Sequence, residues 1–156
     1  MTDKNYVAVE FPAASENEAL ARAIVSAVVL PADPTVEILS DIRTAVSEAV
    51  TNSIIHGYKG KVQNGSGKAN VIKLKCVRNG YVLDVFVEDF GCGIDDIDTA
   101  MQPLYTSAPE LERSGLGFTV MESFMDYIDV DSKLGRGTLI HMKKMLNTSL
   151  KEITET

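Results

Sequence analysis

The sequence predicts an α+β fold, a two-layer sandwich in which one sheet packs against helices. Runs of alternating apolar and polar residues indicate strands, and three stretches with apolar residues at helical spacing indicate helices. An Asn-Gly pair at Asn79 and Gly80 joins two of the strand-like runs, which is a strong hairpin signal. With 156 residues, the chain has the length of one domain. We expect residues 1–146 to form that domain and residues 147–156 to form a frayed tail.

The first elements follow from local signals near the amino terminus. The run from Asn5 to Phe11 predicts a first strand, which Pro12 ends. Ser15 and Glu18 have the spacing of a capping box, so we expect a helix to begin there and to stop at Pro31. Its apolar residues recur at helical spacing: Leu20, Ala23, Ile24, Ala27 and Val28.

A second, longer helix is predicted to begin at Asp33 and Pro34, which form an N-cap and first-turn pair. We expect it to run to about His56 and to end with Gly57 as a left-handed C-cap. The residues expected to form its buried stripe are Ile42, Ala45, Val46, Ala49 and Ser53.

The remaining elements alternate with loops rich in glycine. The predicted strands are Val71 to Val77, Tyr81 to Glu88, Ile128 to Asp131 and Thr138 to Met145. Between Asp89 and Gly117 the regular pattern lapses, apart from a short helical segment at Asp95 to Met101, and such a stretch is typical of a functional lid. A third helix is predicted from Phe118 to Tyr127.

Composition excludes several classes of protein. Fifteen Lys and Arg against 22 Asp and Glu give a net charge of -7, which disfavours electrostatic binding to nucleic acid or to an anionic membrane. The longest apolar run, Ala19 to Leu30, is far shorter than the ~20 residues that span a bilayer, and no secretory signal is visible. Two cysteines, Cys76 and Cys92, cannot form a disulfide framework. We therefore expect a cytoplasmic protein with reduced thiols.

Glycine placement is the most informative feature of the sequence. Eight of the eleven glycines form four Gly-x-Gly pairs, at 65/67, 91/93, 115/117 and 135/137. The first pair resembles a Walker loop only superficially, because Val62 and Ala69 replace residues that such a loop requires, and we interpret it as a turn. Of the other three pairs, 91/93 follows a predicted strand, 115/117 opens a predicted helix and 135/137 precedes a predicted strand. Their order favours a polyphosphate ligand bound at backbone amides.

The long helix carries Glu48 and Asn52 on one face, one turn apart. An amide oxygen is a hard ligand suited to Mg²⁺, and a carboxylate one turn earlier could accept a proton from a nucleophile. On this helix alone, a solvated Glu and Asn would be the simpler interpretation.

Two segments resemble the GHKL superfamily of ATPases and kinases and, within it, the anti-sigma-F factors of endospore-forming bacteria, which are serine protein kinases. The segments are SEAVTNSIIHGY (Ser47 to Tyr58) and QPLYTSAPELERSGLGFTVMESFMD (Gln102 to Asp126). The resemblance extends over roughly Val7 to Met145. It implies a two-layer sandwich of the Bergerat type, with a mixed, mostly antiparallel sheet covered by helices on one face.

The resemblance also implies a role for each matching residue. Asn52 would coordinate Mg²⁺ on ATP or ADP, Glu48 would be the general base, and Arg113 would lie near the γ-phosphate or the protein substrate. Asp89 would accept a hydrogen bond from the adenine amino group. The other nucleotide-binding positions would be Gly91, Gly93, Ser114, Gly115, Leu116, Gly117 and Thr138.

The partners implied are a sporulation sigma factor, which the protein would inhibit, and an anti-anti-sigma protein, which it would phosphorylate on serine. The alternative is a sigma-binding module that binds nucleotide without kinase turnover, and Glu48 favours the kinase because such a module needs no base. A histidine kinase domain is disfavoured because neither His56 nor His141 lies in a helix typical of phosphoacceptors. Arg22 and Glu16 are candidate partner contacts, and the first strand could pair with a second copy in a homodimer.

Overall fold

A computed structural model describes residues 3–101 and 117–147 of the chain. The described residues form five strands and four α-helices: β1 Lys4–Pro12, α1 Asn17–Val29, α2 Val36–Asn52, β2 Val71–Asn79, β3 Val82–Asp89, α3 Ile97–Ala100, α4 Gly117–Phe124, β4 Tyr127–Lys133 and β5 Gly137–Met145. The predicted lid, apart from its first residues and α3, lies outside the described residues, as does the predicted tail beyond Asn147.

The strands form one sheet in the order β1-β2-β3-β5-β4. The hairpin predicted at Asn79 and Gly80 is present and joins β2 to β3. The α+β sandwich is confirmed, with one difference: every pairing among the described strands is antiparallel, whereas the resemblance implied a mixed sheet.

The core lies between one face of this sheet and the helices. Alternate residues of the central strands are buried: Ile72, Leu74 and Cys76 on β2, Leu83, Val85 and Val87 on β3, and Ile140 and Met142 on β5. The predicted stripe of α2 is buried against them, including Ile42, Val46 and Ala49. Helix α2 lies between α1 and α4 and contacts both. Because full burial of one Val, Leu or Ile contributes about 1.5–3 kcal/mol, this layer supplies most of the stability.

Two buried basic residues interrupt the apolar pattern of the strands, and each donates a hydrogen bond to the carboxyl end of a helix. Arg78 on β2 is fully buried, and its Nε donates to the carbonyl of Val28 at 3.0 Å, in the last turn of α1. Lys144 on β5 donates from Nζ to the carbonyl of Phe124, the last residue of α4, at 2.5 Å. Positive charge at a helix carboxyl terminus interacts favourably with its unpaired carbonyls. Sequence patterning did not predict these contacts.

The structure corrects both predicted helix starts. Glu16, with helical φ of -58°, occupies the N-cap of α1 without a side-chain cap, and Glu18 accepts a hydrogen bond from Thr51 on α2 instead of closing a capping box with Ser15. Asp33 is left-handed (φ 51°) and ends a 3-10 turn over Leu30–Ala32. An N-cap residue is extended rather than left-handed, so Asp33 cannot cap the helix, and α2 starts only after Pro34. Thr35 is its N-cap, and Oγ1 accepts from the Ile38 amide at 3.1 Å.

The carboxyl end of α2 also differs from the prediction. After Asn52 the chain continues as a π-helical turn over Ser53–Gly57, closed by a hydrogen bond of 3.0 Å from the Tyr58 amide to the Ser53 carbonyl. Gly57 is not a left-handed cap; the positive φ values occur later, at Lys59 and Gly60.

At the remaining boundaries the differences are small. The third predicted helix begins one residue earlier, at Gly117, and ends at Phe124, because Tyr127 joins β4.

No helix in the described ranges combines the length and the apolar character needed to cross a membrane.

We predict that Thr35→Ala lowers the free energy of unfolding by about 1 kcal/mol, because the Ile38 amide loses its acceptor. Thr35→Ser keeps the hydroxyl and is the matched control. Chemical denaturation of the three proteins measures the difference. Equal stability of the parent and Thr35→Ala would contradict the assignment of Thr35 as the N-cap.

Candidate functional site

The site is centred on Asp89, the last residue of β3. Its side chain is buried, and Oδ1 accepts from the Gly91 amide at 3.0 Å. Oδ2 is also buried but has no hydrogen-bond partner among the described residues. Burial raises the pKa of Asp89, and the nearby Gly91 amide, Ser53 hydroxyl and Thr138 amide partly oppose that effect. Thr138 pairs with Asp89 across β3 and β5, so register fixes these two predicted site residues side by side.

Beside this carboxylate, the π turn brings the end of α2 against the chain that follows β3. A Cβ built on Gly57 would lie 2.8 Å from Asp89 Oδ1, and one on Gly91 would lie 2.0 Å from the Gly57 carbonyl oxygen. The Cys92 amide donates to that same carbonyl at 2.9 Å. Glycine is therefore required at Gly91 because two backbones touch there.

A second close approach lies on the other side of Asp89. A Cβ on Gly137, whose φ is +115°, would lie 2.1 Å from the Asp89 carbonyl oxygen. Gly93 also has positive φ and lies against the Lys133 carbonyl. The amide of Gly135 donates to the Cys92 carbonyl at 2.9 Å. Two of the predicted glycine pairs, 91/93 and 135/137, thus meet each other across the site.

Two hydroxyl groups that sequence reasoning missed hold the loop after β3. The Tyr58 hydroxyl donates to the Val71 carbonyl at 2.6 Å and accepts from the Phe90 amide at 2.8 Å. Ser132 Oγ on β4 accepts from the Ile94 amide at 2.7 Å and lies 2.7 Å from Thr138 Oγ1. A cavity of about 440 Å³ opens at these strand ends, and Asp89, Ser132 and Thr138 are among its lining residues.

Ser53 is the other residue that sequence reasoning did not assign to the site. Its side chain is buried, and its hydroxyl has no hydrogen-bond partner in the described part of the chain. The sequence carries one signal that points to Ser53: it is the one hydroxyl-bearing residue in the otherwise aliphatic stripe predicted for α2.

Glu48 and Asn52 lie on α2 as predicted, but in different surroundings. Asn52 is 9% exposed, so it is a buried amide rather than a solvated one. Glu48 is half-buried and lines a groove of about 540 Å³ between α1 and α2. Arg22 also lines this groove, and its Nη1 donates to Ser47 Oγ at 2.8 Å, so it ties α1 to α2. Glu16 is exposed at the start of α1.

The predicted phosphate-binding segment is only partly described. Gly117 is buried as the first residue of α4, which packs on α2. The other assigned residues of this segment, Arg113, Ser114, Gly115 and Leu116, lie outside the described residues.

Comparison with known proteins identifies relatives along most of the chain. Residues 11–144 match the family described as "Histidine kinase-like ATPase domain". The chain is 52% identical to the anti-sigma F factor of Clostridium kluyveri over 144 residues, which cover 92% of this chain and 96% of that protein. It is 51% identical to the anti-sigma F factor of Clostridium perfringens (strain SM101 / Type A), covering 92% and 99% of the two chains.

Solved structures show the same fold at low identity. The RsbU and RsbW domains of a Mycobacterium tuberculosis protein superpose with a TM-score of 0.61 at 15% identity, over 91% of this chain and 32% of that one. A histidine kinase domain from a blue-light activated histidine kinase of Erythrobacter litoralis gives a TM-score of 0.54 at 21% identity, over 92% and 65% of the two chains.

We predict that Gly91→Ala lowers the free energy of unfolding by about 1–3 kcal/mol or more, because its Cβ meets backbone that no rotamer change can move. Gly65→Ala is the matched control, since a Cβ there meets nothing within 4 Å and should change stability by less than about 0.5 kcal/mol. Thermal and urea unfolding measure both. Equal effects of the two substitutions would contradict the backbone contact.

We predict that Asp89 binds its proton more tightly in the folded than in the unfolded protein, because burial raises its pKa. Its contribution to stability is then fully present below the unfolded pKa, about 3.9, and falls as pH rises through the folded pKa. Relative to Asp89→Asn, the parent should become less stable as pH rises from the unfolded pKa of Asp89 to its folded pKa. A carbon NMR titration of the carboxyl group measures the pKa, with the urea-unfolded chain as reference. A folded midpoint at or below that reference would contradict the prediction.

Proposed function

The chain belongs to the family of histidine kinase-like ATPase domains and, within it, to the anti-sigma F factors, and we propose that it is an ATP-dependent serine kinase that inhibits a sigma factor. On this proposal, it phosphorylates a serine of an anti-anti-sigma partner. The observation that carries the nucleotide assignment is the buried, unpartnered Oδ2 of Asp89.

This oxygen is an acceptor that lacks a donor. Leaving such a group buried and unsatisfied costs about 1–3 kcal/mol, and more when it is charged. The amino group of adenine is a donor and would remove that cost, whereas guanine carries an acceptor oxygen at the corresponding position. The chemistry of the site therefore fits ATP and ADP better than guanine nucleotides.

Asn52 is the residue proposed to hold Mg²⁺ on the bound nucleotide. Its amide oxygen is a hard donor of the kind that Mg²⁺ accepts, and it lies buried on the helix that ends beside Asp89. Mg²⁺ usually keeps several waters and takes few protein ligands when it binds phosphates, so one amide suffices. When bound, Mg·ATP supplies the γ-phosphoryl group.

Glu48 is the proposed general base. It lies one turn before Asn52 on α2 and is among the residues that line the groove between α1 and α2. A serine hydroxyl presented there would donate its proton to this carboxylate as its oxygen becomes the nucleophile. Positioning and charge stabilisation supply most of the remaining acceleration. We propose that positioning and charge stabilisation at the phosphates come from Arg113 and the segment Ser114 to Gly117.

The partner assignments belong to the same proposal. The relatives named above are anti-sigma F factors, which supports a sigma factor as the inhibited partner, and the fold shared with RsbW domains is compatible with an anti-anti-sigma substrate. Glu16 is exposed and Arg22 lines the groove beside Glu48, so both could contact a partner there. A sporulation role, a cytoplasmic location and a homodimer formed along the edge strand β1 are further parts of this proposal.

We predict that two substitutions on α2 separate catalysis from nucleotide binding. Glu48→Gln keeps the size of the side chain but removes the base, so phosphoryl transfer should fall by a factor of about 10² to 10⁴ with ATP affinity nearly unchanged. Asn52→Ala should weaken binding of both Mg·ATP and Mg·ADP. A radiolabelled transfer assay with an anti-anti-sigma protein and calorimetry with each nucleotide measure the two effects.

The same experiment tests the competing function. Transfer by Glu48→Gln within a few-fold of the parent would exclude Glu48 as the base. Absence of transfer by the parent, with ATP and sigma factor both bound, would favour a binding module without kinase turnover. Unchanged nucleotide affinity of Asn52→Ala would remove its metal role.

A further inference from the structure

Positive charge is concentrated in residues 59–70, which connect α2 to β2 in an otherwise acidic chain. The net charge of the chain is -7, yet no acidic residue lies between Glu48 and Asp84, a stretch that holds six of the fifteen Lys and Arg. Three of the six lie within residues 59–70 and are exposed: Lys59, Lys61 and Lys68. None of these lysines forms an ion pair with another residue that the structure describes. Their charge is therefore not used within this part of the molecule.

Residues 59–70, called here the basic hairpin, have a defined fold. The Asn64 amide donates to the Lys68 carbonyl at 2.7 Å, and the Asn70 amide donates to the Val62 carbonyl at 2.7 Å. At the tip, Asn64 Oδ1 accepts from two backbone amides. Lys61 and Lys68 take part in these hydrogen bonds through backbone atoms. The hairpin thus presents their side chains to solvent without using them for its own stability.

The backbone of Lys59 indicates that its charge, rather than the fold, explains the residue. Lys59 has a left-handed φ of 56° and an exposed side chain. That conformation is uncommon for residues with a Cβ, and glycine or asparagine adopts it at lower cost. The fold therefore favours another residue at this position, and the ammonium group is the property that a partner would recognise.

The base of the basic hairpin lies where α1 begins and α2 ends. The Ala13 amide donates to the Asn70 carbonyl at 2.7 Å, and α1 starts four residues after Ala13. Glu18, in the first turn of α1, accepts a hydrogen bond from Thr51, in the last turn of α2. Asn52, the proposed Mg²⁺ ligand, follows Thr51 directly. A protein whose serine approaches a nucleotide held at Asn52 therefore comes close to the basic hairpin as well.

We propose that the basic hairpin attracts the protein substrate by binding an acidic segment of its surface. The inference rests on the proposed function and adds a docking surface to it. Exposed lysines are hydrated point charges on flexible stems, so they act mainly on the rate of encounter and little on the lifetime of a complex.

Nucleic acid fits the basic hairpin less well than an acidic protein segment does. Residues 59–70 include no aromatic side chain on which a base could stack. The acidic residues elsewhere in the chain repel an extended polyanion, whereas a short acidic segment contacts the hairpin alone.

The test measures association with an anti-anti-sigma protein after two lysines are neutralised. Lys61→Gln/Lys68→Gln should slow association about five- to tenfold at low ionic strength, and the difference should vanish at high ionic strength. The dissociation rate and the ATP affinity should stay the same. The matched control, Lys75→Gln/Lys143→Gln, removes the same charge from the sheet face opposite the helices and should associate at the rate of the parent. Stopped-flow fluorescence measures the rates, and calorimetry measures the ATP affinity.

A third variant, Lys59→Asn, separates loss of charge from loss of folding. Asparagine adopts the left-handed conformation more readily than lysine, so this variant should be at least as stable as the parent in urea. It should nevertheless associate about two- to threefold more slowly at low ionic strength.

The outcomes separate this inference from the proposed function. Association of Lys61→Gln/Lys68→Gln at the rate of the matched control would overturn the role of the hairpin. Slower association with a sigma factor, but not with the anti-anti-sigma protein, would overturn it as well, because the acidic segment would then belong to another partner. Salt-dependent association of the parent without phosphoryl transfer would overturn the proposed kinase while leaving the docking surface in place.

Discussion

The contact between the end of α2 and the chain leaving β3 is the constraint on which the site depends. Gly57 and Gly91 touch backbone to backbone, and the Cys92 amide closes the contact with a hydrogen bond to the Gly57 carbonyl. Because α2 carries Glu48 and Asn52 while β3 ends in Asp89, this contact sets the distance between the two halves of the site. A side chain larger than hydrogen at either glycine would force them apart.

Much of the fold could be predicted from the sequence because periodicity is a local property. The strands, the hairpin at Asn79 and Gly80 and the apolar stripe of α2 follow from spacing alone, and the structure confirms them. The helix starts were harder to predict than the strands, because several neighbouring residues could each cap a helix. Thr35 caps α2 in place of Asp33 because Thr35 is extended, as an N-cap must be, whereas Asp33 is left-handed.

The site was predictable only in part, for a related reason. The glycine pair 91/93 can be singled out because its spacing after a strand is visible in one dimension, whereas the role expected of Asp89 comes from the family resemblance. Tyr58 and Ser132 were missed because each holds a segment far away in sequence, and only the packed structure brings donor and acceptor together. The buried Arg78 and Lys144 escaped prediction similarly, since each donates to a helix-end carbonyl that is far away in sequence.

The π turn over Ser53–Gly57 has a consequence for how this protein can change during evolution. Each residue of a helix advances the chain by about 100°, so deleting one residue within the turn would restore a regular α-helix and rotate Gly57 away from Asp89. Amino-acid exchanges on the exposed face of α2 would leave this geometry intact, whereas a change in the number of residues between Asn52 and Gly57 would not. The number of residues at this end of the helix is thus constrained together with the identity of Gly57.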